Sequence, residues 1–348
     1  MSDGFKNILI IKPSSLGDIV MALPVLSALR KSFPDAKITW LIRPEFAPLL
    51  ENHPHLTETI IFDRNLLAKF WYNPCAFISC LSLIRRLRDK KFDAVIDLQG
   101  LFRTAFLGRL SGCRNRFGMT AAREFAGIFY THKVPQDSSC VHVVDYYLKV
   151  VRAAGAQKTD VQFVFPQDSS AAESVNKLLA GYNVKLDNYA VLIPGSVHTE
   201  KCWPVERFTA LANKISSQFG LDIVAVGTKN ESPIIQKIKS LANVPITDFA
   251  GRTNLKELTA LLKNARLVVS NDTGPGHIAA ALGTPLVMMF SRSNPARIYP
   301  YGRKHCAIAV DPDTRGSRIN SYDLKHNIEN ITVDDVYHKV CEQLSQTL

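Results

Sequence analysis

The segment 266–285 constrains the fold more than any other part of this 348-residue chain. Leu267 to Val269 form a short apolar run, which is typical of a parallel strand buried on both faces. Gly274 and Gly276 follow, and glycines allow a sharp turn and a close approach of the backbone to a ligand. Ile278 to Leu282 then predict the beginning of a helix. The segment therefore predicts a strand, a glycine turn and a helix, the repeating unit of a parallel α/β sheet.

The polar residues of this segment permit two interpretations. The helix N-terminus would offer free N–H groups and the positive end of the helix dipole, which together favour a phosphate. Asp272 and Thr273 follow the strand directly, where open α/β sheets bind ligands, and His277 can donate either to a phosphate or to a neighbouring carbonyl. The alternative is an ordinary turn in which Asp272 or Thr273 caps the helix.

The same alternation of strand and helix occurs twice, on either side of a polar stretch at 162–172. We therefore predict an α/β protein with two Rossmann-like domains whose parallel sheets face a central cleft. The predicted bounds are 1–168 for an N-terminal domain, 169–330 for a C-terminal domain and 331–348 for a terminal helix that is able to pack back on the N-terminal domain. The predicted strands are 7–12, 37–42, 59–62, 92–98, 114–117, 189–193, 221–227, 267–269 and, as the last, 285–290. The predicted helices are 19–33, 77–88, 204–219, 233–241, 255–264, 278–282 and 333–344.

The charge of the chain favours an anionic partner. Lys and Arg number 42 against 31 Asp and Glu, and residues 60–133 alone hold 13 basic against 5 acidic residues. Such an excess suits nucleic acid, an anionic lipid, a phosphorylated sugar or merely a solvated surface. The chain has no zinc-finger, basic-zipper or RNP-type pattern, so the charge alone does not indicate nucleic-acid binding.

Cysteine usage and hydropathy indicate a cytoplasmic protein. The seven cysteines are odd in number and contain no C-x-x-C pair, which argues against a disulfide framework and against a structural zinc site. The N-terminus enters a strand without a signal peptide. The uncharged runs 70–84 and 273–291 are interrupted by proline and polar residues, so we expect no transmembrane helix.

One basic segment also carries aromatic residues. Arg85, Arg86, Arg88, Lys90 and Lys91 crowd the end of the predicted helix 77–88, where cations suit the negative end of the helix dipole. Four aromatic residues precede them, and an apolar patch beside a basic one is typical of a protein that rests on an anionic membrane. The sequence therefore raises the hypothesis of membrane contact over 70–91; the aromatic residues are Phe70, Trp71, Tyr72 and Phe77.

Polar side chains at other strand ends are candidates for chemistry. Asp18 follows Gly17 after the first strand, and it is either a general base or the N-cap of the helix predicted from Ile19. Lys201 lies on a loop between a strand and a helix, where it either neutralises a phosphate or is simply exposed. Ser196 and Thr199 on the same loop can donate hydrogen bonds.

Two further motifs carry little weight. Gly274-x-Gly276-x-x-Ala279 nominally fits the dinucleotide fingerprint, but no acidic residue ends a strand about 20 residues later. Asp311-Pro312-Asp313 can in principle hold a divalent cation, although a solvated turn is the preferred interpretation. We therefore expect no metal and no cofactor.

Four stretches together resemble the family-9 glycosyltransferases, the bacterial heptosyltransferases of lipopolysaccharide core assembly. The resemblance covers nearly the whole chain, and the combination is specific although each piece alone is weak. The segment 118–124, Gly-Met-Thr-Ala-Ala-Arg-Glu, looks closer to heptosyltransferase I than to heptosyltransferase II. The four stretches are Lys-Pro-Ser-Ser-Leu-Gly-Asp-Ile-Val at 12–20, Phe-Asp-Ala-Val-Ile-Asp-Leu-Gln-Gly-Leu at 92–101, Lys-Cys-Trp-Pro at 201–204 and Ser-Asn-Asp-Thr-Gly-Pro-Gly-His at 270–277.

The resemblance implies a GT-B fold and a metal-independent, inverting transfer of heptose from ADP-L-glycero-D-manno-heptose to the Kdo-lipid A inner core. It implies that Asp18 is the catalytic base. It also implies an enzyme that is peripheral on the cytoplasmic face of the inner membrane and does not bind nucleic acid. It also implies donor contacts at Lys201, Asp272, Thr273, Gly274 and His277, and it makes Arg64, Arg103 and Arg123 candidates for binding the acidic acceptor. Together with neighbouring loop residues, the predicted donor-binding residues are Ser196, Thr199, Lys201, Asp272, Thr273, Gly274, Gly276 and His277, and the predicted acceptor-binding residues are Ser15, Gly17, Gln99, Arg64, Arg103 and Arg123.

Two other functions stay open at this stage. Segment 63–73 is less basic than is usual in heptosyltransferase I, and His198-Thr199 replaces an expected threonine pair. Both differences leave room for a heptosyltransferase II-like enzyme, or for a GT-B transferase with another nucleotide sugar or acceptor. The remote alternative is a non-enzymatic protein that binds nucleic acid through its basic N-terminal half.

Overall fold

The computed structural model describes residues 4–69, 71–137, 140–316 and 319–345, and Phe70 of the predicted membrane segment lies outside them. The chain divides into two compact units, Met1–Gln167 and Asp168–Leu348. The predicted boundary differs from this division by one residue. Each unit contains one six-stranded sheet in which every pair of neighbouring strands is parallel. The predicted α/β class with two Rossmann-like units is confirmed.

The sheet of the first unit has the strand order β3-β2-β1-β4-β5-β6. Its central strands are buried on both faces, which explains why they appear in the sequence as unbroken apolar runs. The strands are β1 (Asn7–Ile11), β2 (Lys37–Ile42), β3 (Glu58–Ile61), β4 (Ala94–Asp97), β5 (Asn115–Met119) and β6 (His132–Val134). The helices are α1 (Leu16–Ser32), α2 (Arg64–Leu67), α3 (Pro74–Asp89), α4 (Phe102–Leu110) and α5 (Val143–Ala153).

The sheet of the second unit has the order β12-β11-β10-β7-β8-β9. Its strands are β7 (Tyr189–Ile193), β8 (Asp222–Ala225), β9 (Ile246–Asp248), β10 (Leu267–Asn271), β11 (Leu286–Met289) and β12 (Ala307–Ile308). Its helices are α6 (Ser169–Gly181), α7 (Val205–Phe219), α8 (Ser232–Leu241), α9 (Leu255–Lys263), α10 (Gly274–Leu282), α11 (Pro295–Ile298) and α12 (Val333–Ser345).

Several boundaries correct the sequence-based expectations. The strand expected over 285–290 is not the last, because β12 follows it and pairs with β11. Helix α1 begins at Leu16 and α10 at Gly274, three and four residues before the predicted starts. Short β6, β9 and β12 were not predicted, since strands of two or three residues leave almost no periodicity to detect.

The terminal helix α12 buries Val336, Val340 and Leu344 in the hydrophobic core of the second unit. These side chains lie with Phe208 and Leu211 of α7 in one cluster. Its contacts therefore group it with the second unit, whereas the sequence also allowed packing on the first.

Candidate active site

Both sheets have a topological switch point, and most of the predicted site residues lie there, whereas Arg64 follows β3 and Arg123 follows β5. In the second unit β10 pairs with β7. The strand that follows β10 in the sequence, β11, lies on one side of this pair, and the strand that follows β7, β8, lies on the other. In the first unit β1 and β4 are the corresponding pair, flanked by β2 and β5. Ligands of open α/β sheets bind outside the carboxyl ends of the strands at such points. The loops after β10, β7, β1 and β4 are therefore the primary candidates.

After β10, three predicted residues form one charged cluster. Lys201 Nζ lies 2.5 Å from Asp272 Oδ2, and His277 Nε2 lies 3.3 Å from Asp272 Oδ1. Asp272 is 6% exposed and His277 is equally buried. Burial raises the pKa of Asp272, but the His277 hydrogen bond and the Lys201 charge outweigh it and hold the pKa well below its usual value. Asp272 is therefore an ionised, buried acceptor, and it is neither the cap of α10 nor a solvated side chain.

The loop that carries Lys201 is fixed to the sheet by polar contacts. Asn271 Oδ1 accepts from the Trp203 N–H at 3.1 Å, and Asn271 Nδ2 donates to the Pro194 carbonyl at 2.8 Å. The Ser291 hydroxyl donates to the Glu200 carbonyl at 2.8 Å. These bonds satisfy buried polar groups and hold the 3₁₀ turn Thr199–Lys201 beside β10.

Ser196 and Thr199 lie on the same loop. Ser196 Oγ accepts from the His198 N–H at 3.3 Å, and Thr199 is exposed at the start of the 3₁₀ turn. The predicted donor residues of this loop are thus close in sequence and structure to Lys201. The loop also packs against an acid that the sequence did not single out, because the Glu231 carboxylate fills the space beside Gly195.

The N-terminus of α10 differs from the predicted glycine turn. Thr273 is the N-cap residue, its side chain makes no cap hydrogen bond, and both glycines belong to the first helical turn. Gly276 is required by packing instead of by an unusual backbone angle, because a Cβ there would lie 2.6 Å from Ser270 Oγ. The free backbone donors of this turn and the helix dipole favour an anion.

Asp18 lies at the switch point of the first unit. It is the third residue of α1 and not its N-cap: its Oδ2 accepts from the Ser15 N–H at 3.2 Å and from the Ser15 hydroxyl at 2.9 Å, which is a capping box. Its side chain is 36% exposed, and Gly17 beside it is buried. The prediction that Asp18 is the N-cap of this helix is therefore wrong, because Ser15 is the N-cap, and the Asp18 carboxylate stays partly accessible.

A buried lysine that the sequence analysis did not identify stands behind Asp18. Lys12 is 3% exposed, and its Nζ lies 3.6 Å from Asp18 Oδ2 and 5.5 Å from the ring centroid of Tyr147. Burial lowers the pKa of Lys12, but the interactions with Asp18 and Tyr147 together raise it by more. The net effect is a raised pKa. A charged Lys12 favours the ionised form of Asp18. The only sequence signal was the position of Lys12 at the end of β1.

Gln99 is joined to the Asp18 loop, since its Oε1 accepts from the Ser14 N–H at 3.3 Å. The turn after β4 is held by buried Asp97, which accepts from the Gln99 N–H at 2.8 Å and from the Tyr130 hydroxyl at 2.8 Å. Burial raises the pKa values of both Asp97 and Tyr130. Asp97 therefore stabilises the loop through buried hydrogen bonds, while the Gln99 side chain is half-buried.

The three predicted acceptor arginines share one electrostatic environment. The pKa of Arg103 is lowered first by burial and then by the positive charges of Arg64, Arg43 and Arg123, against which Glu124 acts in the opposite direction. The Arg123 N–H donates to the Gly100 carbonyl at 2.8 Å, which ties its segment to the turn after β4. The charges of Arg64 and Arg123 thus act on Arg103, and the segment of Arg123 is joined to the turn that carries Gln99.

Apolar and basic side chains of the segment 71–91 are exposed on α3 and before it. Phe77, Ile78 and Leu81 are exposed along it, Trp71 and Tyr72 precede it and are about four-fifths exposed, and basic residues follow. No helix in the described ranges is long and apolar enough to cross a bilayer.

The described part of the chain contains no group of three His, Cys, Asp or Glu residues placed to hold a metal ion. In the D-P-D motif, Asp313 pairs with Lys304 at 2.8 Å and Asp311 with Lys325 at 3.4 Å.

Comparison with known proteins places this geometry in a family. Lipopolysaccharide core heptosyltransferase OpsX of Haemophilus influenzae is 30% identical over 310 residues, which cover 88% of this chain and 84% of the relative. Lipopolysaccharide heptosyltransferase 3 of Escherichia coli K12 is 28% identical over 80% of each chain. Lipopolysaccharide heptosyltransferase 1 of an E. coli O18:K1:H7 strain is 26% identical over 93% of this chain and 97% of the relative. The three relatives belong to one family, but their identities to this chain are too similar to indicate which type of heptosyltransferase the chain is.

The fold of the chain also matches a solved structure. The solved structure of E. coli heptosyltransferase WaaC with ADP matches with a TM-score of 0.77, covers 97% of this chain and 99% of that chain, and is 24% identical. This likeness confirms the predicted GT-B fold class. Residues 80–320 match the model of glycosyltransferase family 9 (heptosyltransferase). The chain is therefore a glycosyltransferase and belongs to family 9, the family of the lipopolysaccharide heptosyltransferases.

Proposed function

We propose that this enzyme transfers heptose, with inversion and without a metal, from ADP-L-glycero-D-manno-heptose to the Kdo-lipid A inner core. The observation that carries the proposal is the Lys201–Asp272–His277 cluster at the N-terminus of α10, in which Asp272 and His277 are buried and Lys201 is partly exposed. It combines a cation and a helix dipole, which suit a diphosphate, with an ionised acceptor that suits sugar hydroxyls. Family membership and the ADP in the solved WaaC structure support this choice of donor.

The donor half of the proposal assigns separate tasks to the residues of the second unit. The Lys201 ammonium and the free N–H groups of the first α10 turn neutralise the diphosphate, and they do so most strongly as charge develops on the leaving ADP. Asp272 accepts hydrogen bonds from hydroxyls of the heptose. Because a carboxylate without a proton cannot donate, Asp272 favours ligand groups that are donors.

The chemical step is assigned to Asp18. Its carboxylate takes the proton of an acceptor hydroxyl as the acceptor oxygen forms a bond to the anomeric carbon of the donor. The bond between that carbon and the diphosphate oxygen breaks, ADP carries away the electron pair, and the anomeric configuration inverts. Lys12 at 3.6 Å supports an ionised Asp18 before the reaction, as a general base requires.

The acceptor half of the proposal uses Ser15, Gly17, Gln99 and the arginine cluster. The positive charges of Arg64 and Arg123 act unfavourably on the charged form of Arg103, so an anionic ligand at Arg103 relieves this repulsion. A carboxylate sugar such as Kdo or a phosphorylated lipid headgroup provides that charge, and arginine binds both with paired hydrogen bonds. This cluster favours an acidic acceptor over a neutral one.

We include contact with the cytoplasmic leaflet of the inner membrane in the proposal. The apolar residues on the first half of α3 and the basic residues on its second half lie along one exposed stripe, in which Phe77, Ile78 and Leu81 are followed by Arg85 and Arg88. Such an arrangement pairs apolar insertion with attraction to anionic lipid.

The second candidate is another transferase of the same family, with a heptosyltransferase II-like or different acceptor. The relative described as heptosyltransferase 3 supports keeping it, because its identity to this chain is at least as high as that of the heptosyltransferase 1 relative. Both candidates share the donor half and differ only in the sugar that meets Asp18.

A panel of donors and acceptors tests the proposal. Purified enzyme is mixed with ADP-heptose, UDP-glucose or GDP-mannose, each with Kdo-lipid A or with Kdo-lipid A that already carries one heptose, and products are identified by mass spectrometry. We expect transfer only from ADP-heptose and only to the heptose-free acceptor. Transfer solely to the heptose-bearing acceptor selects the second candidate. Absence of transfer from every donor to both acceptors would contradict the proposal.

A further inference from the structure

A second exposed apolar surface lies on α4 and the 3₁₀ turn Ala126–Phe129. We call it the phenylalanine patch; its members are Phe102, Phe106, Phe125, Ile128 and Phe129. Three of its rings contact one another, with centroids 5.8 Å apart for Phe102–Phe106, 5.2 Å for Phe102–Phe129 and 5.4 Å for Phe106–Phe129. Phe102 and Phe106 nevertheless remain about two-fifths exposed, and Phe125 and Ile128 are 84% and 67% exposed. Exposed apolar side chains grouped in this way are typical of a surface that binds another molecule.

The backbone next to the patch adopts an unusual conformation. Glu124 and Phe125 have φ angles of 56° and 59°, so two successive non-glycine residues occupy the left-handed region. This conformation is uncommon for large side chains and persists only where the surroundings stabilise it. Here the Glu124 carboxylate accepts from the Phe102 N–H at 3.3 Å, which ties the exposed Phe125 to the start of α4.

The patch lies in a basic segment, and two arginines adjoin it. Residues 100–134 contain six Lys and Arg residues and a single acidic one, Glu124. Arg103 lies between Phe102 and Phe106 on α4, and Arg116 donates from Nε to the Phe129 carbonyl at 2.6 Å. The partner of this surface is therefore both apolar and anionic.

The patch also adjoins the acceptor side of the site. Phe102 is the first residue of α4, three positions after Gln99, and Arg103 belongs to the arginine cluster. A molecule held on the patch is consequently placed beside the groups that are proposed to receive the acceptor.

We propose that the phenylalanine patch inserts into the interfacial layer of an anionic lipid bilayer and so presents a membrane-embedded acceptor to the arginine cluster. This inference rests on the proposed function and deepens it, because it assigns the lipid part of the acceptor a surface distinct from α3. A bilayer fits the observations because it offers acyl chains to the rings and phosphates to the arginines over one continuous area.

The experiment compares two matched double variants of the full chain. Phe125→Asn with Ile128→Asn removes the most exposed members of the patch, and Asn tolerates the left-handed backbone at 125. Tyr322→Asn with Leu324→Asn is the control, since those side chains are 85% and 68% exposed in the second unit. Binding is measured by co-sedimentation with phosphatidylethanolamine vesicles with and without phosphatidylglycerol. Transfer is measured on Kdo-lipid A in the same vesicles and on its acyl-free sugar.

We expect the patch variant to bind phosphatidylglycerol vesicles about tenfold more weakly than the wild type, because two apolar side chains no longer insert. It should lose transfer to the vesicle-embedded acceptor in proportion, while transfer to the acyl-free sugar stays near the wild-type rate. The control variant should match the wild type in every assay.

Equal vesicle binding by the patch variant and the wild type would overturn the inference, as would a wild type that binds no vesicles, in which case the patch serves a protein partner. An equal loss of transfer on both acceptors would also overturn it, because the patch would then be structural. If the wild type binds vesicles through the patch but transfers heptose to neither acceptor, the inference stands and the proposed function fails.

Discussion

Lys201 and Asp272 lie 71 positions apart in the sequence, yet the lysine Nζ and the Asp272 Oδ2 are 2.5 Å apart. The carboxylate is 4% exposed and the lysine side chain 26%. The pair therefore joins the loop after β7 to the end of β10, and it leaves the ammonium accessible next to the N-terminus of α10. We interpret it as a prearranged cation for the donor diphosphate.

Removal of the Lys201 charge should lower both the free energy of unfolding and the affinity for ADP, and a second substitution should restore only the first. Lys201→Met leaves the buried Asp272 with His277 alone, so we expect a loss of about 1–3 kcal/mol in the free energy of unfolding. ADP affinity should fall about 10- to 100-fold because the diphosphate loses its cation. Lys201→Met combined with Asp272→Asn should recover much of the stability but not the affinity. Urea denaturation and calorimetric titration with ADP measure the two quantities.

The control for this experiment is Lys304→Met, which breaks an exposed ion pair with Asp313 in the same unit. It should change neither quantity appreciably, because exposed ion pairs contribute little. Wild-type ADP affinity in Lys201→Met would show that Lys201 does not bind the diphosphate.

Gly276→Ala should be harmful although alanine is the better helix former. The added Cβ would lie 2.6 Å from Ser270 Oγ and 3.0 Å from Met288 Cε. We expect a loss of about 1–3 kcal/mol in the free energy of unfolding and weaker ADP binding, because the first turn of α10 must move. Gly181→Ala, at the end of α6 where no atom lies within 4 Å of the added Cβ, should instead gain up to about 1 kcal/mol. An equal gain in both variants would contradict the packing of α10 on β10.

His53 should make the stability of the protein depend on pH. It is buried, its Nε2 lies 2.9 Å from the Val164 carbonyl, and burial lowers its pKa to about 4. In the unfolded chain the pKa is about 6.5, so below that pH the unfolded state binds a proton that the folded state refuses. The stability associated with neutral His53 is therefore complete above about pH 6.5 and is lost as the pH falls toward 4.

Between about pH 7.5 and 4.5 this loss should reach about 2–3 kcal/mol for His53 alone. His53→Gln keeps a donor toward Val164 but cannot be protonated. Over the same pH interval, the free energy of unfolding of this variant should therefore fall by about 2–3 kcal/mol less than that of the wild type. Urea denaturation of both proteins at the two pH values measures the difference. Parallel pH dependence of the two proteins would rule out His53 as the source.

The α3 stripe should contribute to membrane binding. Ile78→Asn with Leu81→Asn removes two side chains that are 64% and 51% exposed, so the fold should tolerate the change. We expect about tenfold weaker co-sedimentation with phosphatidylglycerol vesicles. Leu186→Asn with Leu241→Asn, at 53% and 47% exposure in the second unit, is the matched control. Identical vesicle binding by the two variants would exclude α3 from the membrane surface.

The sequence predicted those parts of the fold that leave a strong local pattern. The central strands β1, β4, β7 and β10 are buried on both faces, and their unbroken apolar runs indicated them directly. The start of α10 was misplaced because Gly-Pro-Gly has low helix propensity, whereas the structure uses proline in the first turn, where its missing N–H costs nothing. The start of α1 was misplaced because Asp18 was taken as the cap, although Ser15-x-x-Asp18 has the spacing of a capping box.

The site was predictable as a set of motifs but not as a network. Lys201 and Asp272 were each identified from their loops, but only the fold shows that they form an ion pair. Lys12 was missed because its burial next to Asp18 of α1 and Tyr147 of α5 depends on the packing of α1 against α5, which no local pattern contains. The electrostatic coupling of Arg64, Arg103 and Arg123 likewise depends on three separate segments.

The most direct test of the account is the single-turnover rate of heptose transfer by Asp18→Asn, measured together with its affinity for ADP. Glu257→Gln is the matched control, because Glu257 is likewise the third residue of its helix, α9, and the acidic partner in a capping box. We expect Asp18→Asn to transfer heptose about 100- to 10,000-fold more slowly at unchanged ADP affinity, while Glu257→Gln keeps the wild-type rate. A rate for Asp18→Asn close to that of the wild type would contradict the assignment of Asp18 as the catalytic base.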